Sequence, residues 1–124
     1  MAKVVVIVDD TDSVASSLAL AFENIPGVKA IITHNSRDAL RLFTTPGSGI
    51  SAVVTDLHLP SLNGFELIRE IRNLPLYRNL PAIMITADER AVLNTAPALD
   101  GPNAIFRKPC SLKEVSRALE ELLA

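Results

Sequence analysis

Residues Val4–Val8 are five consecutive branched aliphatic side chains. A strand with one wet face would alternate apolar and polar residues, so this run predicts a strand covered on both faces, as in a parallel sheet. Parallel strands need crossovers of a dozen or more residues, usually helices. The rest of the chain supplies them. Over Asp12–Asn24 and on to Ile25, the residues Val14, Leu18, Phe22 and Ile25 recur at helical spacing, and Pro26-Gly27 ends the segment. Val28–Thr33 reads as a second strand. Ser36 is placed to cap a helix over Arg37–Phe43, and Thr44–Gly49 is a loop by composition.

Ile50–Thr55 reads as a third strand and Leu62–Asn73 as a helix with Phe65, Ile68 and Ile71 on one side. Pro75 and Pro81 bracket a connector. Ala82–Thr86 is a fourth strand. Asp88–Leu99 begins like a helix, but Pro97 lies inside it, and an interior proline costs about 3 kcal/mol, so a short or bent helix is expected. Asn103–Arg107 is a short fifth strand. Ser111 and Glu114 match a capping box that opens a last helix with Leu112, Val115, Leu119 and Leu122 on one stripe. Strand and helix thus alternate five times. The expected architecture is a doubly wound α/β fold: a five-stranded parallel sheet with helices on both faces. Right-handed crossovers leave few topologies, of which strand order 2-1-3-4-5 is a common one, with its ligand site at the carboxyl ends of the strands.

Several function classes fall away on composition. The 124 residues make one domain and need no disulfide or metal staple. Twelve basic against 14 acidic residues give a net charge of −2, without the basic excess of a nucleic-acid binder. Cys110 is the single cysteine, which excludes an internal disulfide and a cysteine-based zinc site. No apolar run approaches a membrane span, and the N-terminus lacks the pattern of a secretory signal. A cytoplasmic location is the expectation.

The polar residues after the strands are more informative. Asp9-Asp10 follow the first strand, Asp56 the third, Thr86 ends the fourth, and Lys108-Pro109 follow the fifth. In a parallel sheet all of these meet at one edge. Carboxylates ~5 Å apart at an effective dielectric near 20 repel by roughly 3 kcal/mol per pair. One lysine cannot neutralise three of them. The cluster asks for a hard divalent cation with oxygen ligands, and Mg²⁺ fits that description. A carboxylate beside Mg²⁺ and a lysine is also suited to accept a phosphoryl group, because such transfer is mostly positioning and charge neutralisation. Each residue also has a plainer reading. Asp9, Asp10 and Asp12 could cap the first helix, Asp56 could be a turn residue, Lys108 could be solvated, and Phe106 could be core. His34 reads as a loop residue and the His58 side chain as solvent-facing.

The set Asp9-Asp10, Asp56-Leu57-His58-Leu59-Pro60-Ser61-Leu62-Asn63-Gly64, Thr86-Ala87, Phe106 and Lys108-Pro109 resembles the receiver domain of two-component response regulators, over about Lys3–Leu123. The resemblance implies a flavodoxin-like, chemotaxis-regulator-like fold, with residues 1–124 forming one receiver domain and no output domain in this chain. It implies phosphorelay signalling by a module, not an enzyme in its own right, that takes part in its own phosphorylation and slow dephosphorylation. Asp56 would accept the phosphoryl group. Asp9, Asp10, Asp56 and the backbone carbonyl of His58 would hold Mg²⁺. Lys108 would pair with Asp56 and then with a phosphoryl oxygen, and Thr86 would donate its hydroxyl to the phosphoryl group. Thr86 and Phe106 would move together as the switch, and the bond preceding Pro109 would be cis. A histidine kinase or phosphotransfer protein would be the donor. An unspecified downstream partner would read the face built from the fourth helix, fifth strand and fifth helix. No nucleic acid or membrane is implied for this domain, and a homodimer is compatible with the resemblance.

The chain departs from the family pattern at Leu59, where methionine is frequent, and at Pro97 and Asp100–Asn103, which leave the readout face unusual. Three other classes compete. A flavin-binding module would need a glycine- and hydroxyl-rich phosphate loop, where Asp9–Asp12 stand. A Mg²⁺-dependent phosphatase with an aspartate nucleophile would need a second acid two residues on, where His58 stands. A receiver-like scaffold that is never phosphorylated would have lost acidic or lysine positions, and none is lost.

Overall fold

A computed structural model describes residues 2–88, 90 and 101–124. Five strands, β1 (Lys3–Val8), β2 (Val28–Thr33), β3 (Ile50–Asp56), β4 (Ala82–Thr86) and β5 (Ala104–Arg107), form one sheet in the order β2-β1-β3-β4-β5. Every pairing is parallel. The helices are α1 (Asp12–Glu23), α2 (Ser36–Thr44), α3 (Gly64–Arg72) and a C-terminal helix (Leu112–Leu123), with a single 3₁₀ turn at Pro75–Tyr77.

The aliphatic run of β1 behaves as its sequence requires. Val5 to Val8 are fully buried, and alternate residues enter two separate cores. Val6 and Val8 pack with Val53, Met84, Leu67, Ile68 and Ile71 under α2 and α3. Val5 and Ile7 pack with Val54, Ile83, Leu18, Phe22, Val115 and Leu119 under α1 and the C-terminal helix. Covering both faces pins the register, because a one-residue slip would exchange the two sets.

The helix starts differ from expectation. Asn35, not Ser36, caps α2, accepting the amide of Asp38; Ser36 is the first helical residue and fully buried. The third helix begins at Gly64 rather than Leu62, behind a complete capping box of Asn63 and Glu66. At the C-terminal helix, Ser111 accepts the amide of Glu114, but only this half of the expected box forms among the described residues. Leu112 is exposed while Val115 and Leu119 carry the burial. The helix expected over Asp88–Leu99, with Pro97, lies outside the described residues apart from Asp88 and Arg90.

Candidate functional site: an acidic pocket closed by one lysine

The parallel arrangement brings the carboxyl ends of β1, β3, β4 and β5 to one edge. Carboxylate oxygens of Asp9, Asp10 and Asp56 lie within 4.8 Å of one another. Asp9 is buried and Asp10 exposed, so the pocket has a floor and an open side. The plain reading of these acids as helix caps does not describe them. Thr11 occupies the cap position of α1, without a side-chain bond, and only Asp12 stands in the first turn. The Asp9 carboxylate instead accepts the amide of Thr11 at 2.9 Å, and that of Asp56 accepts the amide of Leu57 at 2.7 Å.

Lys108 crosses the pocket. Its Nζ donates to Asp9 Oδ2 at 3.1 Å and to Asp56 Oδ2 at 3.2 Å. Burial by itself would lower the Lys108 pKa. The hydrogen bonds and attraction from Asp9 and Asp56 outweigh it and hold the ammonium above its ordinary value. The Lys108 amide is fixed by the carbonyl of Thr86 at 2.8 Å, and the Lys108–Pro109 bond is cis.

Thr86 is fully buried, and its hydroxyl accepts the amide of Asp88 at 3.0 Å. The strand register pairs Asp56 with Ile85, which places Thr86 one step beyond on the neighbouring strand. Phe106 pairs with Ile85 on the other side and is half-buried against the core beneath α1 and the C-terminal helix. The His58 side chain is exposed, as expected, but it has a partner: Nε2 lies 3.3 Å from Asp88 Oδ2. His58 and Asp88 thereby link the loops after β3 and β4.

The fit of this donor set to Mg²⁺ rests on its chemistry. Three carboxylates supply hard oxygen ligands on converging atoms. Two of them share a single ammonium, and Asp10 has no hydrogen-bond or ion-pair partner among the described residues. The carbonyl of His58 likewise accepts no hydrogen bond among the described residues.

Four further residues support the site, and of these only Gly64 belongs to the motif quoted from the sequence. A Cβ at Gly64 would stand 2.4 Å from the Asp56 carbonyl oxygen and 2.8 Å from Met84 Cε, so only glycine lets α3 start against the end of β3. Thr33 accepts the Asp9 amide on its carbonyl at 3.1 Å. The Nδ1 of His34 lies 2.9 Å from the Asp9 carbonyl and must be the donor there, and its Nε2 lies 3.2 Å from Asp12. Ser36 donates to the Pro60 carbonyl and accepts the Leu62 amide, both at 2.9 Å. His34, read from sequence as a loop residue, therefore touches the site's backbone.

Fold and pocket together define a doubly wound α/β domain with an acidic site at the carboxyl edge of its sheet, and sequence comparison is specific about which. The model of the response regulator receiver domain matches residues 5–120, and the chain belongs to that family. It is 35% identical over 122 residues to chemotaxis protein CheV1 of Helicobacter pylori, covering 96% of this chain and 37% of that protein. An uncharacterized 14.6 kDa protein of Leptolyngbya boryana is 30% identical, over 94% of this chain and 87% of its own. Most of the other curated relatives are longer, and the chain spans 44% to 57% of several of them. Chemotaxis response regulator CheY4 of Vibrio cholerae has the same fold, with a TM-score of 0.83 at 19% identity over 98% of this chain and 99% of that one. The expected flavodoxin-like architecture and strand order are both present. Receiver domains are signalling modules of two-component phosphorelays, not enzymes of the ordinary kind. No helix among the described residues is long and apolar enough to cross a membrane.

Proposed function

We propose that Asp56 is the phosphoacceptor of this receiver domain, in a reaction that needs Mg²⁺ held by Asp9, Asp10, Asp56 and the carbonyl of His58. The observation that carries this reading is the pair of hydrogen bonds that Lys108 donates to Asp9 and Asp56 within the acidic cluster. An Asp56 carboxylate oxygen attacks the phosphorus of a histidine-borne or small-molecule phosphoryl donor. A P–O bond to Asp56 forms as the bond to the donor's leaving group breaks. The metal, when bound, neutralises phosphoryl oxygens. Lys108 keeps Asp9 and Asp56 at a fixed separation before the reaction and follows the new charge afterwards. Phosphorylation replaces a singly charged carboxylate by a group that carries roughly −1.5 to −2 and offers new acceptor oxygens. Thr86 turns its hydroxyl toward them, giving up its present bond to the Asp88 amide. Phe106, two strands from Asp56, moves with it, and a face that includes β5 and the C-terminal helix transmits the change to a partner.

The alternatives weaken on the same residues. A phosphatase of the aspartate type needs an acid where His58 stands. An unphosphorylated scaffold has no use for a buried aspartate beside two more.

Intact-mass spectrometry after incubation with Mg²⁺ and acetyl phosphate tests the reading. One phosphoryl adduct is expected on the wild type and none on Asp56→Asn or in EDTA. A folded wild type without an adduct overturns it.

A further inference from the structure

The connection from β2 to α2 touches both sides of the pocket. On one side it holds the backbone of Asp9: the Thr33 carbonyl takes the Asp9 amide at 3.1 Å, and His34 Nδ1 donates to the Asp9 carbonyl at 2.9 Å. On the other side it holds the loop after β3, through Ser36. The Ser36 hydroxyl donates to the Pro60 carbonyl and accepts the amide of Leu62, each at 2.9 Å. It thereby brackets Ser61, whose φ of +78° lies in the left-handed region that residues other than glycine rarely adopt. Ser36 is fully buried and stands in the first turn of a helix whose cap is already supplied by Asn35. Its hydroxyl is therefore free of any helix-capping duty.

We infer that Ser36 is a positioning residue for the metal site: its hydroxyl holds the β3–α3 loop, two residues beyond the His58 carbonyl, in its present conformation. Both bonds are to backbone atoms, so they fix the loop's path irrespective of its side chains. Losing the hydroxyl takes this partner from the Pro60 carbonyl and the Leu62 amide and removes the restraint on the unfavourable backbone at Ser61. The loop then relaxes two residues from His58. This inference rests on the Mg²⁺ site proposed above, and outer groups that orient ligands commonly matter about 10-fold or more for metal affinity.

The test compares wild type with Ser36→Ala, Ser36→Cys and Ser36→Thr. Mg²⁺ affinity is measured by isothermal titration calorimetry, opening of the loop by hydrogen exchange at the Leu62 amide, and phosphorylation by intact mass with acetyl phosphate at saturating Mg²⁺. Ser36→Ala should weaken Mg²⁺ binding roughly 10-fold and speed exchange at Leu62, with exchange in β1 and β3 unchanged. Phosphorylation at saturating Mg²⁺ should fall by less than the Mg²⁺ affinity does. Ser36→Cys nearly preserves shape but hydrogen-bonds weakly, and it should follow Ser36→Ala. Ser36→Thr keeps the hydroxyl and should bind Mg²⁺ more tightly than either. An unchanged Mg²⁺ affinity in both Ser36→Ala and Ser36→Cys overturns the role of Ser36 and leaves the metal site standing. So does faster exchange throughout the sheet, which would mark Ser36 as a general packing residue. Absence of Mg²⁺ binding by the wild type overturns the metal site and this inference with it.

Discussion

The Nζ of Lys108 lies 3.2 Å from Oδ2 of Asp56 while it also bonds Asp9 at 3.1 Å. One ammonium thus spans the strand that carries the phosphoacceptor candidate and the strand that carries the buried metal-ligand candidate. Burial lowers the Lys108 pKa, and the two carboxylates more than reverse this, leaving it above 10.5. A pKa raised on folding contributes stability that is complete below the unfolded value and is lost as pH rises through the folded value. In EDTA, wild type should therefore exceed Lys108→Met in stability by a constant margin between about pH 7 and 9. The margin should shrink above 10.5. Urea melts across this range check it, and a margin that persists into strong alkali would show that the lysine stem, not its charge, matters.

Asp10 is the exposed member of the acidic cluster and has no hydrogen-bond or ion-pair partner among the described residues. Its charge repels Asp9 and Asp56 with little compensation when no cation is bound. Asp10→Asn keeps the shape and removes the repulsion. The melting temperature in EDTA should rise by a few degrees, while the rise that Mg²⁺ gives the wild type should largely vanish. A fall in the EDTA melting temperature would show that the cluster is not under repulsion.

His58 and Asp88 meet at 3.3 Å across the loops after β3 and β4. Asp88 is held in turn by the hydrogen bond its backbone amide donates to the Thr86 hydroxyl and by Arg90, whose Nε lies 3.6 Å from Asp88 Oδ1. The pair ties the loop that follows Asp56 to the loop that follows Thr86, and the expectation is that it restricts the approach of water to a phosphorylated Asp56. His58→Ala should shorten the phosphoryl lifetime several-fold, with Mg²⁺ affinity unchanged, because the proposed ligand there is the backbone carbonyl. Decay of the intact-mass adduct after removal of the donor measures it. A longer lifetime would mean that His58 delivers water instead of excluding it.

The convergence of Asp9, Asp10, Asp56 and Lys108 could be read from the sequence because each follows a strand, and parallel strands end on one edge. The five aliphatics of β1 were equally explicit, since only a doubly covered strand tolerates them. The β2–α2 connection was opaque. Asn35 and Ser36 are both good caps, and the choice between them was made by the loop 24 residues away that claims the Ser36 hydroxyl. Thr33 and His34 bond to the backbone of Asp9, and backbone partners leave no trace in side-chain patterns. The true start of α3 was legible, as Asn63 and Glu66 form a capping box, but the aliphatic Leu62 beside them suggested an earlier beginning.

Gly64 tests how tightly the fold grips Asp56. It is the first residue of α3, where alanine would ordinarily gain up to about 1 kcal/mol in helix propensity. An alanine Cβ, however, would stand 2.4 Å from the Asp56 carbonyl oxygen, 2.8 Å from Met84 Cε and 3.1 Å from Leu57 Cα. The methionine tip can turn aside, but the two backbone atoms cannot move without shifting the end of β3. Overpacking of this kind costs about 1–3 kcal/mol, so it outweighs the propensity gain. Gly64→Ala should lower the melting temperature by several degrees and slow phosphorylation of Asp56 even at temperatures where the protein stays folded. Both follow from one displacement, because the carbonyl that is struck belongs to the same residue as the reacting carboxylate. A variant as stable as wild type and phosphorylated at the same rate would show that α3 can slide away from the strand, and that the pocket does not depend on this contact.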